Sequence, residues 1–151
     1  MMDSFNSPAE EIARYIKGAE NKLLGAAEIV AVKGCSSRAA DLAYNNGVGD
    51  AVNLLTRAVL RKKGRIVQDN ERVPALLREV AQMLSRGGTP IPSVGDLITI
   101  VLNRNGSVHE GAASASEIEV VEAAIEVASR YRKACVVYVA TEESIGSGQF
   151  L

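Results

Sequence analysis

Cysteine and histidine, the side chains that nucleophilic catalysis and zinc binding most often use, are scarce in this chain. Cys35 lies where a predicted strand meets a predicted helix, a place where backbone amides lower a thiol pKa, but its spacing to Arg38 is too short for a phosphatase loop. Cys135 lies far along the chain, so the pair predicts buried thiols rather than a CxxC motif or a disulfide. His109 is the single histidine and has no second ligand at metal spacing, which predicts a hairpin residue and no metal site.

Two acidic residues occupy places where a ribonuclease-H-like nuclease carries metal-binding carboxylates: Glu119 in a predicted helix and Glu142 just past a predicted strand. The first strand of such a nuclease must supply an aspartate, whereas Asn103 and Asn105 stand here and lack the charge that holds paired magnesium ions. Residues 46–50 are glycine-rich ahead of a helix, but no lysine completes a phosphate-binding loop. The sequence therefore points away from an enzyme and predicts no cofactor.

A cluster of cations is the strongest remaining signal. The chain has 17 Lys and Arg against 18 Asp and Glu, a net charge of −1, which argues against a protein that coats nucleic acid by charge alone. The charge is segregated, however, because residues 1–100 hold an excess of cations and residues 101–151 an excess of acids. Five cations stand in the acid-free stretch between Asp50 and Asp69: Arg57, Arg61, Lys62, Lys63 and Arg65. Such a group binds phosphates, or it is a solvated helix end.

The length of 151 residues, nearly half of them apolar, predicts a single domain over 1–151 with one core. The segment 1–7 is short and polar and carries no export signal. No apolar run of the sequence is long enough to cross a membrane. We therefore expect a cytoplasmic protein.

Capping signals and periodicity place the elements that position these residues. Ser7, Pro8 and Glu10 begin one helix, and Ser116 with Glu119 begins another. Helices are predicted at 8–24, 36–44, 50–63, 74–86 and 116–132. Short apolar or β-branched runs predict strands at 28–33, 65–68, 97–102, 107–111 and 135–140, with a hairpin turn at Asn105 and Gly106.

This order of elements predicts an α/β (α+β two-layer) fold, in which helices pack on a small mixed sheet. The predicted core contains the inward-facing residues of the strands and helices: Ile29, Val30, Val32, Leu55, Val59, Leu77, Ile98, Ile100, Ile125, Val137 and Val139.

The helix from Pro8 to Leu24, the run Glu28–Gly34 and the following Cys35–Ala39 segment together resemble the Alba superfamily. This arrangement is particularly similar to that of the Alba-type protein subunits of ribonuclease P and MRP, in which a Gly-Cys and Arg-Ala stretch follows the strand. The resemblance covers roughly residues 5–106. It divides the chain into an Alba-like β-α-β core at 1–106 and a helix-strand extension at 107–151.

The resemblance implies a homodimer, or another homo-oligomer, that binds RNA or DNA without catalysis. The positions that match or lie nearest to the contact residues of the family are Lys33, Arg38, Arg57, Arg61, Lys62, Lys63 and Arg65. The alternative is a protein–protein interaction module or a small-ligand-binding module without a role in nucleic-acid binding. The sequence does not distinguish RNA from DNA.

Overall fold

The computed structural model describes the backbone of residues 7–110 and 116–149, and the side chains of residues 7–102 and 118–140. Within these ranges every regular element is helical. The elements are α1 (Pro8–Ala31), α2 (Ser37–Leu42), a π-helix (Ala43–Gly49), α3 (Asp50–Lys63), α4 (Val73–Arg86), α5 (Val94–Glu110) and α6 (Ser116–Gln149). The predicted α/β fold with a mixed sheet is therefore wrong, and so are the Alba-like β-α-β core at 1–106 and the strand of the 107–151 extension.

The predicted strand at 28–33 is mostly the last part of α1, which runs to Ala31 and ends where Val32 becomes extended. The buried positions of α1 are spaced three, four or seven residues apart: Ile12, Ala19, Leu23, Ala26 and Val30. This apolar stripe continues past Gly25, so extending the helix beyond Gly25 buries further apolar side chains, Ala26 and Val30. Extending a formed helix costs far less than starting one, and this outweighs the β preference of Ile29 and Val30. Ile29 and Val32, which we expected in the core, are exposed.

The predicted strand at 97–102 lies inside α5. Leu97, Ile100 and Val101 are buried at helical spacing, whereas Leu102 is exposed. The Ser93 side chain accepts the Asp96 N–H at 3.4 Å and its carbonyl accepts the Leu97 N–H, which starts the helix. A run of six apolar and β-branched residues has no periodicity of its own, so burial by the neighbouring helices decides its conformation.

The other predicted strands are also absent. Residues 135–140 continue α6, residues 65–68 form a loop, and residues 107–110 belong to α5, while residue 111 lies outside the described residues. The hairpin turn at Asn105 and Gly106 is helical backbone as well. Val137 is half exposed because α6 turns the opposite face, with Tyr131 and Cys135, toward the core.

The helix predicted to break at residues 45–49 instead widens into a π-helix and continues. The backbone keeps right-handed helical angles at Leu42, Ala43, Gly49 and Asp50, so α2, the π-helix and α3 follow one another without a turn. Close packing against α1 explains why residue 47 is a glycine. A Cβ built on Gly47 would lie 2.8 Å from Ala26 Cβ and 3.3 Å from the Lys22 carbonyl oxygen. The glycine therefore permits close packing against α1 rather than a turn.

Helices α1, α3 and α6 form the centre of the molecule. Contacts between Glu11 and Arg61, and between Lys22 and Asp50, show that α1 and α3 are antiparallel. The ion pair of Glu20 with Arg132 and the approach of the first turns of α1 to residues 136–140 show that α6 is antiparallel to α1 as well. Helix α4 packs on α3 and α5, and α5 also packs on the π-helix.

Buried residues of all these helices form one apolar cluster. Of the predicted core residues, Val30, Leu55, Val59, Leu77 and Ile100 are buried. Ile98, Ile125 and Val139 are half-buried, because they lie at the margins of their helices' inner faces.

Two glycine substitutions test the helical packing. Gly47→Ala should lower the free energy of unfolding by about 1–3 kcal/mol, because the added methyl group forces α1 and the π-helix apart. Gly25→Ala is the matched control: it lies within α1 with no atom within 4 Å of the added Cβ, and it should raise the same quantity by roughly 0.5–1 kcal/mol. Urea unfolding followed by circular dichroism measures both. A neutral Gly47→Ala variant would contradict the close approach of the two helices.

Candidate functional site

The cation cluster forms the carboxyl end of α3 and the start of the next loop. Arg61, Lys62 and Lys63 occupy the last turn of the helix, where positive charge interacts favourably with the helix dipole. Gly64 then adopts a left-handed conformation with φ of 87°, and the Arg65 N–H returns to the Leu60 carbonyl at 2.9 Å. The local sequence thus ends α3 with its cations concentrated in one turn.

Three of the predicted arginines lie together. Arg57, Arg61 and Arg65 line one cleft of about 310 Å³, whose other walls are Glu11 and Tyr15 of α1 and two apolar residues of the loop, Ile66 and Val67. Arg57 and Arg61 are one helical turn apart, and the reversal at Gly64 places Arg65 beside them. This arrangement brings together cations that the linear sequence already placed near one another.

Glu11 is the acidic group inside this cleft. Its Oε1 accepts a hydrogen bond from Arg61 Nε at 2.8 Å, and its Oε2 accepts one from the Tyr15 hydroxyl at 3.1 Å. The Arg61 hydrogen bond lowers the pKa of Glu11. Partial burial, with the hydrogen bond to Glu11, raises the pKa of Tyr15. Glu11 therefore stays ionised and offsets the charge of Arg61.

Arg65 has a different environment from the other two arginines. Its guanidinium donates to both oxygens of Glu71 and to both oxygens of Glu79, and it also donates to the Ile66 carbonyl. The hydrogen bonds to Glu71 and Glu79 raise the pKa of Arg65 above its ordinary value. Two acids surround one cation, so Arg65 fastens the loop after α3 to α4 and carries no net positive charge toward a ligand.

Arg57 and the two lysines complete the cluster. Arg57 Nε donates to Asn53 Oδ1 at 3.3 Å, a neutral partner that leaves the guanidinium charge in place. Lys63 is exposed, and Lys62 is half-buried at the edge of a neighbouring groove that Arg61 also lines. Four cations, Arg57, Arg61, Lys62 and Lys63, therefore lie at this end of α3, and one of them, Arg61, is paired with Glu11.

Lys33 and Arg38 lie elsewhere. Lys33 follows the carboxyl end of α1, and Arg38 lies in the first turn of α2, both exposed. Helix α1 spans the distance from Glu11, which contacts Arg61, to this far end, and its rise per residue makes that distance about 30 Å. The seven predicted contact residues therefore do not form one compact site.

The residues considered for catalysis do not come together either. Cys35 is half-buried in the loop before α2, and Cys135 is fully buried in α6, where burial raises the pKa of its thiol. Glu119 is exposed on α6. The side chains of His109 and Glu142 lie outside the described residues. Within the described side chains, no three potential metal ligands lie close enough to hold an ion.

The acidic partners of Arg61 and Arg65 were not predicted from the sequence. Glu11 lies fifty residues before Arg61 in the chain, and Glu71 and Glu79 follow Arg65 at spacings of six and fourteen. The stretch between Asp50 and Asp69 contains no acidic residue, so the charges of neighbouring residues in the sequence give no sign of these partners. Helical periodicity offers a partial signal, since Glu11 lies beside the apolar stripe of α1 and so faces the helix packed against it.

The chain matches no protein-family model, and no curated protein and no solved structure matches it either. Among the helices in the described part of the chain, none has the length and apolar character needed to cross a membrane.

The Arg65 contacts predict a specific dependence of stability on pH. Hydrogen bonds from Arg65 and from the Gln68 N–H lower the pKa of Glu71 to about 2. A carboxyl group whose pKa is lowered by folding contributes stability that is complete above its unfolded pKa of about 4.3 and is lost as the pH falls toward the folded value. The free energy of unfolding should therefore fall less between pH 5 and pH 2 in Glu71→Gln than in the unmodified protein.

Urea unfolding at a series of pH values measures this difference. Arg65→Gln is the matched variant, because it removes the Arg65 hydrogen bonds to Glu71 and leaves the one from the Gln68 N–H. Adding Glu71→Gln to it should therefore change the pH dependence less than Glu71→Gln does in the unmodified protein. Equal acid sensitivity in the unmodified protein and Glu71→Gln would show that the ion pair does not form in solution.

Proposed function

We propose that this protein binds RNA or DNA without catalysis, by contacting the phosphodiester backbone with the carboxyl end of α3. The observation that carries the proposal is the gathering of Arg57, Arg61, Lys62 and Lys63 in the last two turns of one helix, with Glu11 as the acid of the adjoining cleft. Phosphates bind such a surface because each contact releases condensed counterions from the nucleic acid.

The dimensions of the surface suit a phosphate backbone. From Arg57 to Lys63 the axis of α3 rises by roughly 9 Å. Along one strand of a duplex this length carries about three phosphates, so the cations at this end of α3 can contact more than one phosphate at once. A net charge of −1 for the whole chain is compatible with this, because local potential governs where a charged ligand approaches.

We leave three of the seven predicted contact residues out of the proposed surface. Arg65 is left out because Glu71 and Glu79 neutralise it, and Lys33 and Arg38 are left out because they lie at the far end of α1. Aromatic stacking adds little, since no aromatic side chain among residues 7–102 and 118–140 is exposed. We therefore expect binding that depends strongly on salt and weakly on sequence.

A triple variant tests the proposal. Arg57→Gln, Lys62→Gln and Lys63→Gln together remove three cations and keep the Arg61 pair with Glu11, so the packing of α1 on α3 is retained. Affinity for single- and double-stranded RNA and DNA should fall for every sequence tested. The slope of log affinity against log salt should flatten by about 2, since each phosphate contact contributes roughly 0.7–0.9. Fluorescence anisotropy with labelled oligonucleotides at several salt concentrations measures both.

Lys33→Gln with Arg38→Gln is the matched control, because it removes two exposed cations from the other end of α1. This variant should bind nearly as well as the unmodified protein. If it weakens binding as much as the triple variant does, the contact surface lies elsewhere. If the unmodified protein shows no salt-sensitive binding at low ionic strength, the cations serve only to end α3.

A further inference from the structure

A large open groove lies beside the cationic end of α3. It runs between the first three turns of α1 and residues 136–140 of α6, it has a volume of about 870 Å³, and Arg61 and Lys62 of α3 border it. It is separate from the arginine cleft, although Arg61 lines both. Along α1, from Pro8 to Glu20, the groove extends for roughly 18 Å.

Most of the groove wall is apolar and accessible to solvent. Ile12 forms a buried part of the wall, while Ala9, Ala13 and Ala140 are exposed and Ile16, Val136 and Val139 are half-buried. The antiparallel packing of α1 and α6 leaves this surface uncovered by other described elements. A concave apolar surface of this volume lies within the usual range for small-molecule sites, roughly 300–1,000 Å³.

The charges around the groove have one predominant sign. Lys17 of α1 and Arg61 and Lys62 of α3 are cationic, and Arg61 pairs with Glu11 at 2.8 Å. The acid among the lining residues is Glu20, which pairs with Arg132 at 3.0 Å. Glu20 is therefore neutralised by a residue outside the lining. A ligand that complements this groove has an apolar body and a negatively charged end.

We propose that the groove binds a small amphiphilic carboxylate, a fatty acid, with its acyl chain along the apolar wall and its carboxylate near the exposed Lys17. The elongated shape suits a linear chain, and the cationic edge suits a single acid group. Nucleic acid is a poorer occupant, because a phosphate backbone gains nothing from apolar walls. This inference does not depend on the proposed binding of nucleic acid at the end of α3.

Titration with a series of saturated fatty acids, each below its micellar concentration, tests the proposal. The chain contains no tryptophan, so isothermal calorimetry or displacement of a fluorescent fatty acid is the suitable measurement. Affinity should rise with chain length, by up to about fourfold for each methylene that is fully buried, until the groove is filled. The methyl ester of the best acid should bind more weakly, because it lacks the charge that faces Lys17.

Ala13→Leu fills the groove from the exposed face of α1 and should reduce fatty-acid affinity at least tenfold. Ala123→Leu is the matched control, because Ala123 is an exposed alanine of α6 outside the groove and should leave affinity unchanged. Should Ala13→Leu impair folding, Lys17→Glu provides the second test and should weaken the acid more than its methyl ester. Lys63→Gln should weaken nucleic-acid binding and leave fatty-acid binding intact, so the two proposals fail separately.

Three results would overturn the proposal. Affinity that does not change with chain length would show that the acyl chain is not buried. Equal binding by Ala13→Leu and the unmodified protein would place the ligand outside the groove. A concentration-dependent dimer that Ala13→Leu converts to a monomer would show that a second copy of the chain, rather than a fatty acid, covers this surface.

Discussion

The close packing of α1 against the π-helix and α3 is the contact on which the rest of the molecule depends. Gly47 lacks a side chain at the point where α1 passes, and Ala26 fills the space on the other side. Ion pairs at both ends, Lys22 with Asp50 and Glu11 with Arg61, fix the antiparallel register of the two helices. Partly exposed pairs of this kind contribute little stability, about 0–1 kcal/mol each, so burial along the interface stabilises it and the charges select the register.

A buried polar contact positions α6 on this pair. The Thr56 hydroxyl donates to the Val52 carbonyl at 2.8 Å and therefore accepts from the Tyr131 hydroxyl, also at 2.8 Å. Burial raises the pKa of Tyr131, so the phenol stays protonated and remains a donor. A shift of α6 by one residue would break this hydrogen bond inside the core, where unsatisfied polar groups are costly. The register set at Tyr131 brings residues 136–140 against the first turns of α1 and so creates the groove.

Other ion pairs divide the surface into regions of different charge. Glu71 and Glu79 neutralise Arg65, and Arg132 neutralises Glu20. What remains is a cationic end of α3 next to an apolar groove. Both proposed ligands, a phosphate backbone and a fatty acid, carry negative charge, and they differ in whether an apolar body accompanies it.

The sequence by itself determined the local features of this protein. Ser7, Pro8 and Glu10 begin α1, the limits of α3 and its terminal cations were predicted, and so was the burial of Leu77 in α4. These features depend on contacts within one or two helical turns, and such contacts are made by residues that are close in the sequence. The position of the basic cluster was predicted for the same reason.

Only the tertiary structure decided whether the apolar runs at 28–33, 97–102 and 135–140 became strands or helices. Such short runs satisfy either conformation, and the choice depends on which helix faces lie opposite them. The tertiary structure also decided which cations have their charge offset by an acid, since Glu11, Glu71 and Glu79 reach the arginines from other elements. The groove belongs to the tertiary structure alone, because its two walls come from opposite ends of the chain and meet only when α1 and α6 pack antiparallel.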